Sequence, residues 1–220
     1  DPQAVLRPSQ AQPALMPLEA RLDQLGRLGV DRVWVIPFTT RFARTGAPRF
    51  VRRVLQAQLG AVAVVVGEAF VFGRQRRGDM ALLRRLGSAC GLRVVAVPAV
   101  RRGGAAVSSS RIRRLIARGQ LAAARRLLGR PATLYGGVVS GTGRGRRLRV
   151  PTANLRLRSA VLPPRGVYAV LVHDGRRRWR GVMNLGVRPT FGDGPLTCEV
   201  HLLGFSGSLR RRQLGVELIA

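Results

Sequence analysis

Residues 79–97, DMALLRRLGSACGLRVVAV, decide the fold of the first half of the chain. Asp79 is the kind of side chain that caps a helix start. Leu82, Leu83 and Leu86 recur at helical spacing, and Gly91 can take the left-handed turn that ends the helix. Leu92 to Val97 is then an apolar run of strand length. The same unit stands twice upstream. Leu18, Leu22, Leu25 and Leu28 form a helical stripe closed by Gly29, and Val33 to Ile36 follow as a buried strand. Phe50, Val51, Val54, Leu55 and Leu59 form another stripe, closed by Gly60. Ala61 to Val66 is a continuous apolar run suited to a parallel strand covered on both faces. Helices alternating with buried strands predict an α/β domain, a doubly wound open parallel sheet with right-handed crossovers.

Past Pro98 the segment Arg101 to Ala106 is glycine-rich and reads as a mobile connection. Ser108, Ser109 and Ser110 can cap a helix running through Leu115 and Ile116 to Gly119. A second short helix holds Leu121, Ala124, Leu127 and Leu128 before Gly129. The first domain is therefore expected over residues 1–128. Beyond Pro131 the texture changes to short β-type runs separated by Gly and Pro: Tyr135 to Val139, Val167 to Val172, Trp179 to Leu185 and Thr197 to Leu203. That spacing predicts a small antiparallel β-barrel over residues 129–220.

Composition sets outer bounds. The 220 residues suffice for two domains, and the apolar share of 46% is that of a globular protein. No apolar run approaches the roughly 18 residues of a membrane helix, so no membrane association is expected. Cys90 and Cys198 are too few for a disulfide framework and lack paired zinc spacing, which points to a reducing cytoplasm. A chain that opens on Asp1 reads as an excerpt of a longer protein. The formal charge of +29 would ordinarily suggest a polyanionic partner. All 39 basic residues are arginine, however, and they are spread along the chain with only 5% aromatics. That pattern reads as coding bias, and no specific nucleic acid is expected as partner.

The chemistry lies in the second half. Gly141-Thr142-Gly143-Arg144-Gly145-Arg146 is a loop between two runs of strand character, followed by Pro151-Thr152-Ala153-Asn154. Glycines let backbone amides approach phosphate, arginines add charge, and Thr and Asn offer neutral oxygens that can hold Mg²⁺. Alone, the loop reads more readily as a plain hairpin connection, and Glu199 as a surface carboxylate on a strand. In order, Leu128-Gly129-Arg130-Pro131, the Gly141 to Arg146 loop, Pro151 to Asn154, Pro164-Arg165-Gly166-Val167-Tyr168, Asn184 to Gly192 and Glu199-Val200-His201-Leu202-Leu203 resemble the riboflavin kinase domain of bacterial bifunctional riboflavin kinase/FAD synthetases. The resemblance spans Leu128 to Leu218.

It implies that Thr152 and Asn154 hold the metal and the ATP phosphates, and that the backbone of Gly141, Gly143 and Gly145 wraps the nucleotide. It also implies that Glu199 is the base for the ribityl 5′-hydroxyl, and that Arg188 stabilises phosphates or the flavin pocket. His201, two residues from Glu199, reads as an ordinary strand histidine that could also contact substrate. The sequence departs from the family at Arg149 and Val150, where Gly and Phe are usual. It departs again at Ser208, Arg210 and Arg211, which replace acidic, aromatic and glycine positions, and it stops at Ala220 before the helix that normally completes the domain.

The first half resembles the family's adenylyltransferase domain through Leu18 to Val35, Pro37-Phe38, Phe50-Val51, Val65-Val66-Gly67, Phe70, Phe72-Gly73, Gly78-Asp79 and Ser108 to Arg113. Ser108, Ser109 and Arg113 are thereby implied in binding ATP phosphates; the alternative is a helix cap with a solvated basic face. The family's His-x-Gly-His motif is absent, since the histidines are His173 and His201. Glu68-Ala69 and Gln3 also stand where Asp and His are customary. The expected reaction is ATP plus riboflavin to FMN plus ADP with Mg²⁺. The adenylylation of FMN to FAD is expected of the complete parent enzyme and only poorly of this chain, truncated at both ends. The alternatives are a flavin- or ATP-binding module without turnover, and an Arg-rich nucleic-acid-binding protein.

Overall fold

The computed structural model describes residues 2–139, 152–158, 161–187 and 196–220. They form two compact units, one of residues 1–12 and 34–107 and one of residues 13–33 and 108–220.

The first unit is α/β. Strands β1 (Ala63–Gly67) and β2 (Arg93–Val97) pair in parallel, Ala63 opposite Arg93 and Gly67 opposite Val97. The connecting helix Met80–Ser88 starts where Asp79 Oδ1 accepts the Leu82 amide at 2.8 Å, the cap expected from the sequence. The helix Ala47–Phe50 runs on into a π-helical stretch, Val51–Gln58, so the stripe at Phe50 to Leu59 is helical but wound with more residues per turn than an α-helix. Its inner face carries Ala47, Val51 and Leu55 onto Phe72, Leu83 and Leu92. A chain of rings, Phe38, Phe42, Phe50, Phe72 and Phe70, extends that core, with successive centroids 5.6–6.5 Å apart. Gly73 (φ +72°) is required there, because a Cβ would lie 2.7 Å from the Ala47 nitrogen.

Two expectations for this unit need correction. Residues 33–36 are not a strand: Val33, Trp34 and Val35 are exposed and no ladder takes up their backbone groups. Nor is β1 covered on both faces, since Val65 remains 63% exposed. The segment after Pro98 forms a small hairpin. Strands β3 (Arg101–Arg102) and β4 (Ala105–Ala106) pair across Gly103 and Gly104, both at positive φ as such a two-residue turn demands.

In the second unit, helices Leu18–Arg27, Ser109–Ala117 and Leu121–Leu128 accompany a barrel. The last helix ends on Gly129 in the left-handed conformation, as its position after Leu128 predicts. The barrel strands are β5 (Thr133–Val139), β6 (Thr152–Leu157), β7 (Gly166–His173), β8 (Arg178–Val187), β9 (Leu196–Leu202) and β10 (Gln213–Leu218). They close in the order β10-β5-β6-β9-β8-β7, every contact antiparallel. Side chains alternate strictly. Leu134, Leu155, Val172, Met183, Val200 and Val216 are among those that fill the interior, which is packed rather than hollow. Each such side chain contributes roughly 1.5–3 kcal/mol by leaving water. Gly181 lets β8 and β9 approach closely, because a Cβ on it would sit 2.5 Å from the His201 carbonyl oxygen.

Candidate functional site

Because β6, β9 and β8 are neighbours, their register decides what Glu199 meets. Asn154 on β6 and Asn184 on β8 both lie directly opposite Glu199 on β9. Ala153, Leu155, Cys198, Val200, Met183 and Leu185 are buried in the barrel, so the intervening Asn154, Glu199 and Asn184 face outward in one row. Directly opposed Cβ atoms in such pairs are about 4.5–5.5 Å apart. The row therefore presents a carboxylate between two carboxamides. Next to it runs a second rank, in which Thr152 and Val182 oppose His201. Thr152, Asn154, Glu199 and His201 thus share a face although 44 residues or more separate the two strands' members in sequence.

Thr197 Oγ1 donates to the Gly186 carbonyl at 3.0 Å, tying β9 to β8 beside Glu199. Immediately behind it, burial pushes the Cys198 thiol up to about 12, and the Glu199 charge adds to the effect. The thiol is thus inert packing for the strand that carries the carboxylate.

Elsewhere on the barrel, His173 on β7 lies 3.9 Å from Glu217 on β10, which also accepts from Arg178 on β8. Burial holds the His173 pKa below the ordinary imidazole value despite the Glu217 charge. This cluster is six residues along β7 from Val167, the partner of Asn184, or roughly 20 Å from the Glu199 row. Among the described residues, no three His, Cys, Asp or Glu side chains gather to hold a metal. Metal binding at the row would therefore rest on the neutral oxygens of Thr152 and Asn154 with Glu199 alongside.

Ser108 is the N-cap of helix Ser109–Ala117, accepting the Arg111 amide on Oγ at 3.3 Å. Arg113 Nε donates to the Pro13 carbonyl at 2.9 Å. The capping alternative for this segment thus has a definite bond behind it, and the helix N-terminus begins at Ser109. Gly141, Gly143, Gly145 and Arg188, together with the departures at Arg149 and Val150, lie outside the described residues. In the sequence Asn184 only opens the Asn184 to Gly192 motif; the alternation of β8 and its register against Glu199 give it a place in the row.

Two family models match the chain one after the other. The FAD synthetase model matches residues 1–111 and the riboflavin kinase model residues 128–220. The chain belongs to the bifunctional riboflavin kinase/FAD synthetase family. Curated relatives named bifunctional riboflavin kinase/FMN adenylyltransferase include that of Pseudomonas fluorescens, 41% identical over 93% of this chain and 66% of the relative. That of Escherichia coli (strain K12) is 38% identical over 91% of this chain and 64% of the relative. The chain thus spans just under two thirds of the length of these relatives. A solved structure described as a macrolide-efflux protein from Streptococcus pneumoniae is 29% identical, with a TM-score of 0.84 over 99% of this chain and 71% of that one. Within the bifunctional family, then, the Glu199 row lies in the kinase half and the Ser109–Ala117 helix begins in the synthetase half.

Proposed function

We propose that the barrel transfers the γ-phosphoryl group of ATP to riboflavin, giving FMN and ADP, and that the whole protein also adenylylates FMN to FAD. The functional division is taken at residues 1–128 and 129–220. The observation that carries the kinase reading is the register of Asn154, Glu199 and Asn184 across three adjacent strands, with Thr152 on the same face. Such a row offers one base and several neutral oxygens on rigid strands, which is what phosphoryl transfer by positioning requires.

Glu199 accepts the proton of the ribityl 5′-hydroxyl as that oxygen's electron pair attacks the γ-phosphorus and the bond to ADP breaks. Thr152 and Asn154 hold Mg²⁺; an all-oxygen, neutral donor pair beside a carboxylate suits a hard cation that keeps waters and phosphate oxygens as its other ligands. When bound, the ion neutralises phosphate charge. Gly141, Gly143 and Gly145 supply backbone amides to the nucleotide, and Arg188 supports phosphate or flavin, by the resemblance already described. In the adenylylating half, Ser108, Ser109 and Arg113 take ATP phosphates at the N-terminus of helix Ser109–Ala117. The free cysteines, Cys90 and Cys198, support work in a reducing, cytoplasmic compartment.

The test is Glu199→Gln with riboflavin, ATP and Mg²⁺, products being separated by chromatography. Loss of the base should lower kcat by about 10²–10⁴ while riboflavin and ATP affinity stay near wild type. A variant that keeps its turnover removes Glu199 from the chemistry; a wild-type chain that binds both ligands and never forms FMN is a binding module instead.

A further inference from the structure

The outer face of β5 and β6, with the turn leading into β10, borders a half-open cavity of about 480 Å³ that neither proposed reaction uses. Three arginines, Arg156, Arg158 and Arg211, are among the residues that line it, and no Asp or Glu is. Arg158 is tied to Glu19 at 3.2 Å, whereas Arg156 and Arg211 have no ion-pair partner among the described residues. The floor is polar as well. Gln213 lies against Gly137, its carboxamide nitrogen 3.0 Å from where a Cβ would stand, so the missing side chain of Gly137 makes the room that the carboxamide fills.

Arg211 is held at φ +61°, a conformation that glycine adopts freely and arginine does not, and glycine is the residue the family resemblance places there. A cation thus occupies a backbone position that disfavours any side chain, and it lines the same cavity as two other cations. Mutual repulsion makes the empty cavity electrostatically unfavourable and an anion within it favourable. Arginine forks fit phosphate oxygens two at a time. The volume exceeds that of a single phosphate and falls in the range of cavities that take small organic ligands.

We propose that this cavity is an auxiliary binding site for a molecule carrying linked phosphates, held by Arg156, Arg158 and Arg211 with Gln213 as the polar floor. It borders the Glu199 row: Val139, on its wall, is the cross-strand partner of Asn154, and Arg156 is the next outward residue of β6, about 7 Å along the strand. Two sources share the chemistry, free pyrophosphate and a nucleoside diphosphate.

The experiment is titration calorimetry on the full chain with pyrophosphate, ADP or orthophosphate, without Mg²⁺ or riboflavin, at 50 and 200 mM salt. Arg156→Gln and Arg211→Gly are compared with wild type, with Arg84→Gln on the exposed face of helix Met80–Ser88 as a charge-matched control. Glycine at position 211 suits the backbone, so that variant should fold at least as well as wild type. Each cavity substitution should weaken pyrophosphate about tenfold, with Arg84→Gln unchanged and orthophosphate much weaker than pyrophosphate. Of the binding lost in Arg156→Gln and Arg211→Gly, a larger loss for ADP than for pyrophosphate assigns the site to a nucleotide, and an equal loss assigns it to the linked phosphates alone. No measurable binding, or equal weakening by Arg84→Gln, overturns the proposal, because the charge of +29 would then account for the attraction by itself.

Discussion

Gly181→Ala should uncouple the barrel's packing from its chemistry in a measurable way. A Cβ at this position would stand 2.5 Å from the His201 carbonyl oxygen, so β9 must move to reach the 3.4 Å of ordinary contact, a shift of about 0.9 Å. Strand β8 has little room to retreat, since the Val172 side chain already stands 3.4 Å from the same point on the other side. Overpacking of a filled interior costs about 1–3 kcal/mol. For a domain of this size that lowers Tm by about 5–20 °C. The displaced carbonyl belongs to the strand that carries Glu199 two residues earlier, and a displacement near 1 Å costs about 100-fold in rate. Tm by differential scanning fluorimetry and FMN formation at a fixed interval below each Tm would separate the two effects. Gly26→Ala in helix Leu18–Arg27, where a Cβ meets nothing within 4 Å, is the control and should be neutral or slightly stabilising. A Gly181→Ala protein with wild-type Tm and wild-type turnover would refute both the tight β8–β9 contact and its link to Glu199.

Cys198 should resist iodoacetamide at pH 9 while the chain is folded and react once denatured, read by mass spectrometry; native labelling at the denatured rate contradicts its burial. Because its folded pKa is raised, the neutral thiol's contribution to stability is complete below about pH 9, where the unfolded thiol begins to ionise. It is lost as pH rises toward about 12. Asp79→Ala removes the bond to the Leu82 amide and should cost the α/β unit about 1 kcal/mol in chemical denaturation, while Asp79→Ser should restore most of it. Equal stability of the alanine and serine variants would show that the cap contributes nothing.

Much of the architecture was legible because it rests on local physics. Helical stripes closed by a glycine, with the Asp79 cap ahead of one of them, placed Leu18–Arg27, Met80–Ser88 and Leu121–Leu128 nearly to the residue, and short β-type runs between Gly and Pro announced the barrel. Residues 33–36 misled because an apolar run becomes a strand only when a neighbour takes its backbone hydrogen bonds, and none does so among the described residues. The family motifs supplied Thr152, Asn154 and Glu199 as members of one site, but periodicity alone could not have joined two strands more than 40 residues apart. Local propensity and the ordered motifs were therefore enough to determine the kind of elements and the family. Register across β6, β9 and β8, the place of Asn184 opposite Glu199, and the meeting of Arg156, Arg158 and Arg211 in one cavity were decided only by closure of the barrel. Strand order and register depend on which distant backbones exchange hydrogen bonds and which side chains fill a shared interior, and neither is a property of any one stretch of the chain.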